Sequence, residues 1–153
     1  MIKYATRLFI ATFIIALTFG CDDECSNSSP PPTAPIRFAI VDKSGNNLVT
    51  DATSRFHPDS IKLYEQDHKT NTIFQKDFNE SLKGFWFQAD CYKNEGGSST
   101  LFLHFDNADI DTLLVSYETI RDKCYTFHQY THFLYNGKEI LPSGETRTLR
   151  IVK

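Results

Sequence analysis

From Ile36 to Val152 the chain runs in short apolar stretches that alternate with period two and break at turn residues, and this pattern most constrains the fold. Ile36, Phe38 and Ile40 alternate with Arg37 and Ala39, and Ser44-Gly45-Asn46-Asn47 supplies a turn before Leu48-Val49-Thr50. Ile61 and Leu63 share a face opposite Lys62 and Tyr64. Thr72-Ile73-Phe74-Gln75 follows a polar turn, and Phe85-Trp86-Phe87-Gln88-Ala89 is a dense aromatic strand closed by Asn94-Glu95-Gly96-Gly97. Leu101, Leu103 and Phe105 alternate with Phe102, His104 and Asp106, and residues 112–117, 124–135 and 146–152 are further candidates. Asn136-Gly137 is the strongest hairpin signal, because a two-residue type I′ turn needs positive φ at both positions. Beyond residue 35 no stretch holds a helical period for three turns, and residues 77–83 allow one short helical turn at most. The expected fold is all-β, an antiparallel β-sandwich of about seven to nine strands. Its core can be built from 13 Phe and 7 Tyr, set against a single Met. Aromatic and β-branched side chains fit pleated, half-buried surfaces.

The start of the chain has a different character. Lys3 and Arg7 precede an apolar run from Leu8 to Phe19, followed by Gly20-Cys21-Asp22-Asp23-Glu24. A basic n-region, a short h-region and small residues at the cut describe an export signal, and the run is shorter than the roughly 20 residues of a spanning helix. Next comes Ser28-Ser29-Pro30-Pro31-Pro32-Thr33-Ala34-Pro35, in which proline fixes φ and removes amide donors, so the stretch reads as a spacer. The expected organisation is a signal over residues 1–20, an acidic and Pro-rich tether over 21–35, and a β-sandwich domain over 36–153. The formal charge is −3, and loss of Lys3 and Arg7 with the signal makes it two units more negative. That balance argues against a nucleic-acid binder and against electrostatic docking on anionic lipid.

Leu17-Thr18-Phe19-Gly20-Cys21 resembles a bacterial lipoprotein signal, which ends in an acylated cysteine. Gly20 and Cys21 fit it, whereas Leu17 lies one place too far upstream and Phe19 is bulky for its position. Asp22-Asp23-Glu24 is similar to the acidic export signal of surface lipoproteins of Bacteroides-type bacteria. Residues 38–48, Ile110-Asp111-Thr112-Leu113 and residues 135–139 resemble the small immunoglobulin- or prealbumin-like domains of such lipoproteins. The resemblance implies lipidation at Cys21, an outer-membrane location facing outward, and a domain for which the family assigns no reaction. Cleavage after Gly20 followed by secretion, or a periplasmic location, is the alternative.

With Cys21 acylated, Cys25, Cys91 and Cys124 remain. An exported compartment permits a disulfide, and Cys91–Cys124 is the expected pair, because both lie in strand-like segments while Cys25 lies in the tether. The pairing carries a tension: Cys91 continues the face of Phe85, Phe87 and Ala89, whereas Cys124 falls on the face of His128 and His132. A bulge or a late strand start near Cys124 would reconcile the two, and a buried, reduced cysteine is the alternative.

No metal or other cofactor is expected. His128 and His132 would share an ion on a helix, but on a strand four residues span about 13 Å. With Tyr125, Phe127, Phe133 and Tyr135 on the opposite face, these two and His104 read as solvated strand histidines. Asp106, Asp109 and Asp111 lack the Gly and terminal Glu of a calcium loop and read as an acidic turn. The chain contains no Gly-x-Ser-x-Gly, His-Glu-x-x-His or phosphate-cradling loop. Asp90 and Glu118 are carboxylates whose pairing sequence alone does not fix. Two function classes lead, with an enzyme third. One is a displayed binding or accessory module capturing glycan or protein, with Trp86, Tyr64 and Tyr130 as candidate stacking residues unless Trp86 is core. The other is an envelope-assembly lipoprotein whose protein partner reads an exposed strand edge.

Overall fold

A computed structural model describes residues 25, 29, 33–50, 55–65, 69–106 and 108–153. The expected signal over residues 1–20, the lipidation site Cys21 and the acidic Asp22-Asp23-Glu24 lie outside the described residues.

Among the described residues the chain forms nine strands: β1 (Ile36–Val41), β2 (Lys62–Tyr64), β3 (Ile73–Asn79), β4 (Gly84–Ala89), β5 (Ser98–His104), β6 (Ile110–Arg121), β7 (Thr126–Tyr135), β8 (Lys138–Glu139) and β9 (Leu149–Val152). They build two sheets, ordered β3-β4-β1-β9 and β2-β5-β6-β7-β8. Every pairing is antiparallel except β1 with β9. The domain is thus an all-β, antiparallel-dominated sandwich, with no helix among the described residues.

The core lies between the sheets and follows the period of two. Ile36, Phe38 and Ile40 of β1, Phe87 and Ala89 of β4, and Leu149 and Ile151 of β9 face Leu63, Leu101, Leu103, Leu113 and Val115 across the sandwich. Phe38 and Phe87 stack with ring centroids 5.1 Å apart, and Phe56 reaches Phe105 over the same distance. Burial of each such side chain stabilises by about 1.5–3 kcal/mol relative to leaving it in water. The Asn136-Gly137 signal is realised as the β7–β8 turn, with φ of 46° and 76° at its two residues.

Three local expectations are corrected. The helical turn at residues 77–83 is absent, because Asp77, Phe78 and Asn79 pair with Trp86, Phe85 and Gly84, and a turn over residues 80–83 closes the hairpin. Leu48-Val49-Thr50 is not a strand of either sheet, since Asn47 takes over part of its hydrogen bonding. Asn47 Oδ1 accepts from Val49 N, and its Nδ2 donates to the Phe85 carbonyl at 2.9 Å. This segment lies so close to Gly84 that a Cβ there would fall 2.7 Å from the Val49 carbonyl oxygen. The strand expected over 146–152 starts only at Leu149, because residues 144–147 turn between the bridged Ser143 and Thr148.

Candidate functional site, a cleft at the mouth of the sandwich

The register of β7 against β6 slips between Ser116 and Tyr117. Ser116 pairs with His132 while Tyr117 pairs with Tyr130, which leaves Thr131 as an extra residue in β7. A bulge of this kind reverses the alternation that follows it. Phe133 and Tyr135 point into the core on one side of Thr131, while on the other half-buried Tyr130 packs against the core and half-buried His128 meets buried Tyr117 edge-on. The uniform face expected for Tyr125, Phe127, Phe133 and Tyr135 is therefore divided.

The bulge shapes the wall of a cleft of about 590 Å³ where the two sheets part. Buried Ile36, Phe133 and Leu149 form its floor. Residues 33–35, just ahead of β1, form one side, and the turn carrying Pro142, Glu145, Thr146 and Arg147 forms another. Arg37, His128, Gln129 and Tyr130 supply polar groups at its margin. Arg37 donates to the Thr146 carbonyl at 3.3 Å, while its Nε is buried without a hydrogen-bond partner. Arg147 holds a φ of 50°, a left-handed conformation that an L side chain adopts at a cost. An apolar floor with a few polar groups around it is the usual chemistry of a ligand pocket.

Behind the cleft, Tyr130 joins two strand ends. Its hydroxyl donates to Asp90, which is also bonded by Lys93, and lies 3.7 Å from Cys91 Sγ. Burial and the Asp90 carboxylate push the Tyr130 phenol well above its ordinary range. Burial also pushes the Cys91 thiol up, which disfavours the reactive thiolate. Burial would raise Asp90 too, but hydrogen bonds from Lys93 and Tyr130 outweigh it and hold the carboxyl below its ordinary range. Asp90 is thus committed to structural partners. Glu118 is exposed on β6 opposite Gln129.

The candidate stacking residues do not form one platform. Tyr130 contributes to the cleft wall, whereas Trp86 lies on the outer face of the four-stranded sheet, under the Arg37 guanidinium at 5.5 Å. Tyr64 belongs to β2 in the other sheet and meets His104 edge-on at 4.8 Å. Trp86 is half-buried and is not among the core residues.

The expected cysteine pairing is corrected: Cys124 bonds to Cys25, with their Cα atoms 5.1 Å apart, and Cys91 is free and buried. The late strand start does occur, with β7 beginning at Thr126, but it places Cys124 in the β6–β7 turn at the end of the sandwich. Cys91 continues the core face of Phe87 and Ala89, where a turn cysteine does not reach it.

The histidines are spread out. His128 packs edge-on against Tyr117 and shares a hydrogen bond with Thr119, while His132 lies 3.4 Å from Glu139. Among the described residues no three or more His, Cys, Asp or Glu side chains gather in a way that could hold a metal ion. The acidic turn already has a cation, since Lys153 Nζ lies 2.6 Å from Asp109 Oδ1 and is also bonded to Asp111. Asp106 instead accepts from Ala108 N and Asp109 N, both at 2.8 Å, as a turn-capping carboxylate.

The cleft has no direct signature in the sequence, and its nearest signals are the prolines ahead of β1 and the aromatic density of residues 125–135. Compared with known proteins, the chain matches no family model, no curated protein and no solved structure.

Proposed function

We propose that this is a lipid-anchored protein of the bacterial outer membrane, displayed outward, whose β-sandwich captures a protein partner in the cleft at the sandwich mouth. The observation that carries the capture reading is the cleft itself, with Ile36, Phe133 and Leu149 as an apolar floor and Arg37, His128 and Tyr130 at its margin. An apolar side chain of a partner would fill the floor, with polar backbone groups meeting the margin. Support for export comes from the signal-like start and from the Cys25–Cys124 disulfide, a bond that persists in oxidising compartments. Protein capture is preferred over glycan capture because Trp86, Tyr64 and Tyr130 occupy three separate surfaces, and a sugar-stacking platform needs its aromatics side by side.

The test is photo-crosslinking in intact cells from a probe residue replacing Gln129 at the cleft, with a second probe replacing Trp86 as control. One envelope protein recovered from position 129 and absent from position 86 is expected. Its recovery should fall when Leu149→Arg fills the floor. Binding to a polysaccharide panel that disappears in Trp86→Ala would overturn this reading in favour of glycan capture. Mass spectrometry of the N-terminal peptide tests the anchor separately, and an unacylated Cys21 would refute it.

A further inference from the structure

The disulfide fixes where an anchored chain would enter the domain. β6 ends at Arg121 and β7 begins at Thr126, so the turn between them is the tip of the longest hairpin, and Cys25 is bonded to Cys124 within it. Cys21 lies four residues ahead of Cys25, a span of at most about 14 Å at 3.3–3.6 Å per residue. Without the bond, the chain from Cys21 to the start of β1 could extend to about 50 Å. The staple therefore shortens the reach of the anchor by more than threefold and moves its point of attachment to the hairpin tip.

The tip has the chemistry of a membrane interface. Tyr125 and Phe127 are half-buried with ring centroids 6.2 Å apart, beside half-buried Ile120 and exposed Arg121. Tyrosine rings and basic side chains are favoured at headgroup level, where one end is apolar and the other wet. We infer that the β6–β7 tip is the membrane-facing surface of this protein and rests at the level of the lipid headgroups. The inference rests on lipidation at Cys21. It also places residues 127–130 of the cleft wall on the membrane-proximal part of β7, so the partner is met close to the bilayer.

The test uses the full-length lipidated protein, purified from membranes and reconstituted into phosphatidylethanolamine/phosphatidylglycerol vesicles containing brominated acyl chains. In a Trp86→Phe background, a single tryptophan is placed at the tip by Tyr125→Trp or at the far turn by Lys138→Trp. The two positions lie about 30 Å apart along β7. Strong bromine quenching of the tip tryptophan and little of the distal one is expected. Insertion of about 12 Gly/Ser residues after Glu24 lengthens the tether and keeps the staple, and it should abolish the difference. Cys25→Ser should do the same, and the insertion keeps the test decisive if that variant folds poorly. Protein that floats with the vesicles but shows equal or absent quenching at the two positions overturns the inference and leaves the anchor intact. Protein that does not float, with an unmodified Cys21, overturns both.

Discussion

Lys153 occupies the place where the spacing of Asp109 and Asp111 invites a metal ion. Its ammonium bridges the two carboxylates, while Tyr135 and Asn136 also donate to Asp111, so one cluster ties the end of β9 to the starts of β6 and of the β7–β8 turn. Burial disfavours the charged form of Asp111, but the bonds from Lys153, Tyr135 and Asn136 outweigh it and hold its carboxyl below the ordinary range. Burial likewise works against the Lys153 ammonium, and the two aspartates more than compensate, raising its pKa. The signs then define a plateau. The depressed Asp111 contributes stability above its unfolded value of about 3.9, lost as pH falls through the lower folded value. The raised Lys153 contributes stability below about 10.4, lost as pH rises through its folded value. Lys153→Met is expected to cost about 1–3 kcal/mol at neutral pH, since it leaves two carboxylates without their shared donor. Urea unfolding from pH 3 to 8 checks this, and the gap from the parent should narrow below about pH 4 as Asp111 protonates. A gap that does not change with pH would remove the ionic explanation. The sequence showed the acidic residues, but not their cation, which lies more than 40 residues further along the chain.

At the scale of single elements, alternation made most strands readable. Leu101, Leu103 and Phe105 are buried while Phe102, His104 and Asp106 are not, and Asn136-Gly137 makes the turn its residue types require. The bulge at Thr131 had no such signal, because no Gly, Pro or Asn marks it, and only pairing with β6 reveals the slip. That one residue shifts by one which positions of β7 face the cleft. Deleting Thr131 is expected to close the bulge without moving the faces, because His132 and Tyr130 then become neighbours opposite Ser116 and Tyr117, the pairs they already make. Tyr130 should then keep Asp90 and Cys91, and the Cys91 thiol should stay buried. Maleimide labelling under native conditions checks this, with equally slow labelling expected in the parent and in the deletion. Labelling faster by about tenfold, the change expected from a local opening made easier by roughly 1.4 kcal/mol, would show that β7 slips and reverses its faces instead.

For the molecule as a whole, the disulfide connects the segment ahead of the domain to the far end of its longest hairpin. Two cysteines in strand-like context looked like the natural pair, but proximity in this fold depends on the loop end that carries Cys124, and no sequence period encodes that. The bond spans 99 residues, so it closes nearly the whole described domain into one loop. In the chain-entropy account a loop of this size restricts the unfolded ensemble strongly, and removal of such a bond typically costs about 2–5 kcal/mol. Cys25→Ser should therefore lower the urea midpoint with the native strands retained by far-ultraviolet circular dichroism. Cys124→Ser should lower it equally, and the double variant should be no worse than either single one, because both changes remove the same bond. Dithiothreitol should bring the parent down to the variants and leave them unmoved, since the remaining thiol at Cys91 takes no part. The effect should also be felt at the cleft, where residues 33–35 form one side between the stapled Cys25 and β1. The amides of Thr33 and Ala34 should exchange faster with deuterium in Cys25→Ser than in the parent, while those of β5, which the core holds independently, should not change. Equal midpoints for parent and variants would mean that the sandwich does not draw on the staple for stability. The bond's remaining role would then be positional, fixing the entry of the chain at the hairpin tip.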